Sequence, residues 1–112
     1  MKQITAIVRP EKLEAVRQAL HAAGAPGIMI TEIEGHGKQK GIEQQWRGEK
    51  FRMELLPKMK IEIVVEDANV NKIVSTIMKE AKTGEIGDGK IFVSTVENVI
   101  RIRSGEEGSK AI

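Results

Sequence analysis

Three glycines and a lysine lie within seven residues, Gly84-Glu85-Ile86-Gly87-Asp88-Gly89-Lys90. Glycines let the backbone present its N–H groups as a concave nest, and a lysine ammonium beside such a nest suits phosphate. The letters from Gly84 to Lys90 spell G-x-x-x-x-G-K, but position 91 is Ile, not the Ser or Thr whose hydroxyl would hold magnesium. The flanking pattern is also helix–loop–strand, whereas a P-loop runs strand–loop–helix. The segment therefore reads as a phosphate-binding loop of another kind. The plainer alternative is ordinary punctuation, a helix stop followed by a strand start.

Other residues could serve the same anion. Glycines recur at 35, 37 and 41, and Lys40, Lys58 and Lys90 supply ammonium groups. Arg101 and Arg103 are two apart on a segment read as extended, which would put both on one side, where two guanidiniums can clamp phosphate oxygens. The bland alternative for each arginine is a solvated surface charge. No catalytic constellation stands out: cysteine is absent, and Ser75, Ser94, Ser104 and Ser109 have no evident base nearby. His21 falls in a last helical turn, where the helix dipole favours it, and His36 stands at the mouth of a loop, solvated or brushing a ligand.

The elements that must position these groups follow from periodicity. Residues 2–9 alternate as a strand ending at Arg9-Pro10, with Pro10 opening a helix that carries Leu13, Val16, Leu20 and Ala23. Gly24 and Pro26-Gly27 stop it, and residues 28–34 form a second strand. Residues 59–65 alternate as a third. Asp67 or Asn69 can cap a helix bearing Val70, Ile73, Val74, Ile77, Met78 and Ala81, and residues 90–96 form the last main strand. A short extended tail contains residues 99–103. The order β-α-β-β-α-β specifies an α+β, ferredoxin-like fold with two helices on one face of a four-stranded antiparallel sheet. The other face lacks a helix to cover it, and packing against further subunits is the simplest solution.

One interval does not fit a bare hairpin. Residues 35–57 separate strands that should be neighbours, where loops of about 2–5 residues are usual. They include basic Lys38, Lys40, Arg47, Lys50 and Arg52 beside apolar Ile42, Trp46, Phe51 and Met53. Such a mixture suits a partner-binding loop, the alternative being an extended hairpin with solvated charges.

Length and composition bound the rest. The 112 residues, 40% hydrophobic, support one domain. Eighteen basic and sixteen acidic residues leave a net charge of +2, too balanced to argue for nucleic acid. With no Tyr, two Phe and one Trp, base-stacking platforms are lacking as well. Zero cysteines exclude disulfides and thiolate metal sites and fit a reducing cytoplasm. The N-terminus enters a strand pattern without an apolar signal core, and no run approaches a membrane span.

Taken together the residues resemble the PII nitrogen-regulatory signal proteins over essentially the full chain. The likeness rests on Gly37 with Gln39-Lys40-Gly41, Arg47-Gly48, Leu56-Pro57-Lys58, Thr83-Gly84 with Ile86 through Phe92, Arg101-Ile102-Arg103 with Gly105-Glu106, and Ala111-Ile112. The resemblance implies a single domain, residues 1–112, with a T-loop at 35–57, a phosphate-binding B-loop at 83–90 and a C-terminal tail at 99–112. It implies a homotrimeric, non-enzymatic cytoplasmic sensor of nitrogen, carbon and energy status that binds ATP or ADP between subunits. Gly35, Lys38, Gln39, Lys40, Gly87, Asp88, Gly89 and Lys90 would contact nucleotide, with Arg101 and Arg103 reaching in from the neighbouring subunit. With MgATP bound, 2-oxoglutarate would chelate Mg2+; Gln39 would be the metal ligand, Lys58 would pair with a carboxylate, and Gly37, Lys40 and Gly41 would close around it. The T-loop residues Trp46, Arg47 and Phe51 would meet the target, an ammonium transporter or glutamine synthetase, and a membrane would be met only through the transporter.

Several positions depart from the family pattern. Phe51 and Glu49 stand where many members have a modified tyrosine and some a phosphorylated serine, so neither modification is possible here. Lys38 replaces a common Arg, Met29 a Thr that often touches adenine, and Trp46 a common Tyr. Two readings from other classes stay open: an ATP-hydrolysing or ATP-using enzyme on the same fold, and a metal-binding trimer, which the separation of His21 from His36 disfavours.

Overall fold

The computed structural model describes residues 1–35, 43–46, 49–52 and 56–112. The main sheet comprises β1 (Lys2–Val8), β2 (Met29–Gly35), β5 (Leu56–Val65) and β6 (Lys90–Thr95), in spatial order β2-β5-β1-β6 and antiparallel throughout. Helices α1 (Leu13–Ala22) and α2 (Val70–Ala81) cross one face, giving the ferredoxin-like arrangement expected from the periodicity. Strands β3 (Glu43–Trp46) and β4 (Glu49–Arg52) pair separately, Trp46 opposite Glu49 and Gln44 opposite Phe51. The interval read as a partner-binding loop thus contains a two-stranded ladder.

The alternation of β1 and β5 decides which face is dry. Ile4, Ala6 and Val8 lie opposite Ile63, Ile61 and Met59, and all six are buried against Val16 and Leu20 of α1 and Ile73 and Ile77 of α2. Displacing eight or more large aliphatic side chains from water, at roughly 1.5–3 kcal/mol each, is the main force holding helices to sheet. Gln3, Thr5 and Ile7 point the other way, as do Lys58, Lys60 and Glu62. On that face Gln3 Nε2 donates to Glu62 Oε2 at 2.7 Å, and Met29 and Phe92 remain about half exposed.

The element ends differ in detail from the sequence expectations. Pro10–Lys12 form a 3-10 turn, and α1 proper starts at Leu13. Gly24 closes α1 at φ +77°, with the Ala25 N–H donating to the Leu20 carbonyl at 3.0 Å. Neither Asp67 nor Asn69 caps α2 through its side chain; Asp67 instead accepts the N-terminal ammonium of Met1 at 2.9 Å. Strand β5 begins at Leu56, three residues before the alternating run, because β2 extends far enough to pair Gly35 with Leu56. Pro57 is tolerated there because β1 ends at the Val8–Met59 pair, leaving one side of β5 unpaired.

The chain after β6 is not extended across both arginines. An isolated bridge joins Ile100 to Glu107, the Arg101 N–H donates to the Glu106 carbonyl at 2.9 Å, and residues 102–104 turn. The alternation that would place Arg101 and Arg103 on one side therefore does not apply. Gly105, at φ +73°, lets the turn close through its N–H to the Arg101 carbonyl at 2.8 Å.

Candidate functional site: a braced glycine loop

The loop from Thr83 to Gly89 connects α2 to the edge strand β6, and its shape is held by side chains from distant parts of the chain. Asp88 is the hub. Its carboxylate accepts from the Thr83 hydroxyl, from the N–H groups of Thr83 and Gly84 at 2.9 Å each, and from Arg9 Nε at 3.1 Å. The Thr83 hydroxyl is the largest influence, followed by those backbone donors and Arg9, and together they hold the Asp88 pKa well below the usual carboxylate range. An anion so occupied, and of the same sign as phosphate, is an organiser of the loop. What Asp88 can offer a ligand is its backbone.

Two cations brace the loop from the opposite side. Arg9, at the end of β1, donates through Nη2 to the Ile86 carbonyl at 2.9 Å. Lys58, on β5, donates from Nζ to the Gly87 carbonyl at 2.6 Å and is only 7% exposed. Burying an ammonium is costly unless it is hydrogen-bonded, so this contact is a substantial constraint on both partners. Gly89 then passes β1 so closely that a Cβ on it would lie 1.7 Å from the Ile7 carbonyl oxygen. Only glycine fits there. Lys90 begins β6 opposite Ile7, with an exposed side chain.

The fold thus brings Lys58 and the Gly87–Lys90 loop together, with Gly35 on the same end of β2 as Ile33, the residue opposite Lys58. It does not bring the C-terminal arginines to the loop within one chain. Arg101 pairs with Glu106 at 2.9 Å and donates to the Lys110 carbonyl at 3.2 Å, while Arg103 is exposed. Gly37, Lys38, Gln39, Lys40, Gly41, Arg47 and His36 lie outside the described residues. Trp46 and Phe51 are placed by strand position alone, in β3 and β4. His21 is exposed in the last turn of α1.

A cleft of 410 Å3 opens on the helix side of the loop, between α2 and β6, walled mainly by aliphatic residues such as Val74, Met78, Ile91 and Val93. That lining suits an apolar surface better than a phosphate. Arg9 and Lys58 meet the loop from its other side, at the sheet face without helices. Among the described residues no group of three or more His, Asp or Glu side chains could hold a metal ion, and no helix is long and apolar enough to cross a membrane.

Sequence reasoning missed Arg9 and, as a brace, Thr83. Each is separated from its function by fold geometry: Arg9 meets Asp88 across 79 residues, and nothing beside Arg9 in the chain signals the contact.

The architecture defines a ferredoxin-like α+β domain whose glycine loop is braced by Arg9, Lys58 and Thr83 at one end of a sheet that helices cover on one face only. The family model described as Nitrogen regulatory protein P-II matches residues 1–106, and the chain belongs to that family of nitrogen-regulatory proteins. It is 58% identical over 112 residues to Nitrogen regulatory protein P-II 2 of Methanothermobacter thermautotrophicus, covering all of this chain and 97% of that one. It is 51% identical to Nitrogen regulatory protein P-II of Azospirillum brasilense and 50% to that of Nostoc punctiforme, each over the full length of both chains.

Proposed function

We propose that this chain is a cytoplasmic sensor of nitrogen, carbon and energy status that binds ATP or ADP, and 2-oxoglutarate with MgATP, and acts on targets through residues 35–57. The observation that carries the reading is the Lys58 ammonium 2.6 Å from the Gly87 carbonyl. One residue thereby adjoins both a nest suited to phosphates and the sheet end from which the 35–57 segment leaves. Gly87, Gly89 and Lys90 hold the phosphates through backbone N–H groups and the lysine ammonium, with the Asp88 backbone completing the nest. Lys58 pairs with a 2-oxoglutarate carboxylate. Mg2+ takes oxygen ligands; as the family resemblance implies, Gln39 would supply the protein's, the rest coming from nucleotide and keto acid.

Assembly as a homotrimer completes the site. Half-exposed Met29 and Phe92 on the uncovered sheet face and a fully exposed Ile102 in the C-terminal turn are costly in water and suit burial by neighbouring subunits. Arg101 and Arg103 then serve the loop of an adjacent subunit, with Arg101 leaving Glu106 for phosphate. The absence of a hydroxyl at Ile91 and of an evident base favours binding over turnover.

Calorimetric titration tests the core of this. 2-Oxoglutarate should bind only with MgATP present, and by reciprocity should tighten ATP by the same factor. Equal 2-oxoglutarate affinity in the presence and absence of MgATP would overturn the proposed linkage.

A further inference from the structure

The peptide units of the glycine loop assign a role to Arg9. Every described peptide is trans, so each carbonyl points opposite to the N–H of the next residue. Arg9 Nη2 holds the Ile86 carbonyl at 2.9 Å, which directs the Gly87 N–H away from Arg9. Lys58 does the same for the next peptide through the Gly87 carbonyl, directing the Asp88 N–H away from itself. Among the described residues no acceptor takes the Gly87 N–H. Gly87 stands at φ +103°, so the Ile86–Gly87 unit could rotate if its carbonyl were released. The second Arg9 bond, Nε to Asp88 Oδ1 at 3.1 Å, ties the same guanidinium to the carboxylate that gathers Thr83 and Gly84. Arg9 is largely shielded, with a side chain 21% exposed, so it brings its charge to the loop from behind.

We infer that Arg9 is a positioning residue of the anion nest: by gripping the Ile86 carbonyl and the Asp88 carboxylate together it sets the Gly87 N–H toward the phosphate side. This rests on the nucleotide-binding reading above. Arg9 touches no ligand; it acts through the peptide it orients. A ligand lacking phosphates has no use for that orientation. The effect of losing Arg9 therefore falls on the phosphate part of the ligand.

The test uses the full-length chain and the variants Arg9→Met, which keeps the stem, and Arg9→Lys, which keeps a donor. ATP affinity is measured by calorimetry well below each variant's melting temperature, and the Gly87 amide is followed by amide-resolved NMR. In the wild type the Gly87 amide proton should move downfield on ATP addition. Arg9→Met should weaken ATP about tenfold, in line with one mispositioned charge-assisted hydrogen bond, and abolish that downfield shift. Arg9→Lys should recover part of both. A lowered melting temperature with ATP affinity within about twofold of wild type would mean that Arg9 only stabilises the fold, and would overturn the inference. Should Arg9→Met not fold, Arg9→Lys carries the test alone: ATP affinity weakened severalfold with a reduced downfield shift of the Gly87 amide supports the positioning role, and wild-type affinity, or weaker binding with the full shift retained, overturns it. Failure of the wild type itself to bind ATP would refute the nucleotide reading, a result distinct from any variant effect.

Discussion

Replacing Gly89 by alanine should damage this protein far more than replacing Gly84, although both substitutions add one methyl group at a positive φ. At Gly89 the new Cβ would lie 1.7 Å from the Ile7 carbonyl oxygen and 2.7 Å from its carbon; at Gly84 it would meet nothing within 4 Å. Ile7 cannot yield, being paired with Lys60 on one side and Lys90 on the other. The loop must therefore retreat by about 1.7 Å to reach ordinary contact at 3.4 Å. That shift takes Gly87 and Asp88 off Lys58 and Arg9. The positive φ (+89° at Gly84, +97° at Gly89) costs each variant roughly 1–2 kcal/mol. Displaced charge-assisted bonds add roughly 1.5–3 kcal/mol for Gly89→Ala alone. The expected destabilisation is thus about 2.5–5 kcal/mol for Gly89→Ala against about 1–2 for Gly84→Ala. Urea unfolding at one fixed protein concentration measures both and keeps any effect of assembly on the midpoint out of the comparison. Coincident midpoints for the two variants would refute the argument that β1 fixes the loop through this contact.

Two further outcomes are expected. Because hydrogen bonds lower the folded pKa of Asp88, its stabilisation is complete above the unfolded carboxyl's value near 3.9 and is lost as pH falls below it. Asp88→Asn should therefore be less stable than wild type at pH 7 and lose less on acidification to about pH 3. Acid-dependent urea midpoints check this, and equal slopes would count against it; some slope remains because Asp67, paired with the N-terminal ammonium, is also lowered. For the target, Arg47→Ala should abolish capture of a detergent-solubilised ammonium transporter in ADP, while wild-type binding should be released by MgATP with 2-oxoglutarate. Binding indifferent to both the substitution and the ligands would exclude Arg47 as a contact to that target.

The sequence made visible whatever repeats at the period of one element. Alternation in residues 2–8 and 59–65 and the apolar stripe of residues 70–81 identified strands and helices, and their order left few topologies open. Cap chemistry was less legible, since Asp67 had a choice of donors and the ammonium of Met1 outcompeted the backbone of α2. The tail misled for a related reason. Alternation in Val99–Arg103 is a local signal, but Gly105 and Glu106 close a turn over it, and Glu106 takes the arginine that extended geometry would have presented outward.

The candidate site shows the same division more sharply. Glycines announced the loop because positive φ and the approach to Ile7 are demands that one residue type meets. Lysine 90 was visible beside them. Lys58 was among the ammonium groups the sequence offered, but its grip on the Gly87 carbonyl and the part played by Arg9 were not visible, because both cations reach the loop only after β1 and β5 have paired in register, beside adjacent carbonyls. An arginine before a proline and a lysine after one carry no local mark of that role. The residues that shape this loop are therefore readable where they constrain their own backbone, and hidden where they constrain someone else's.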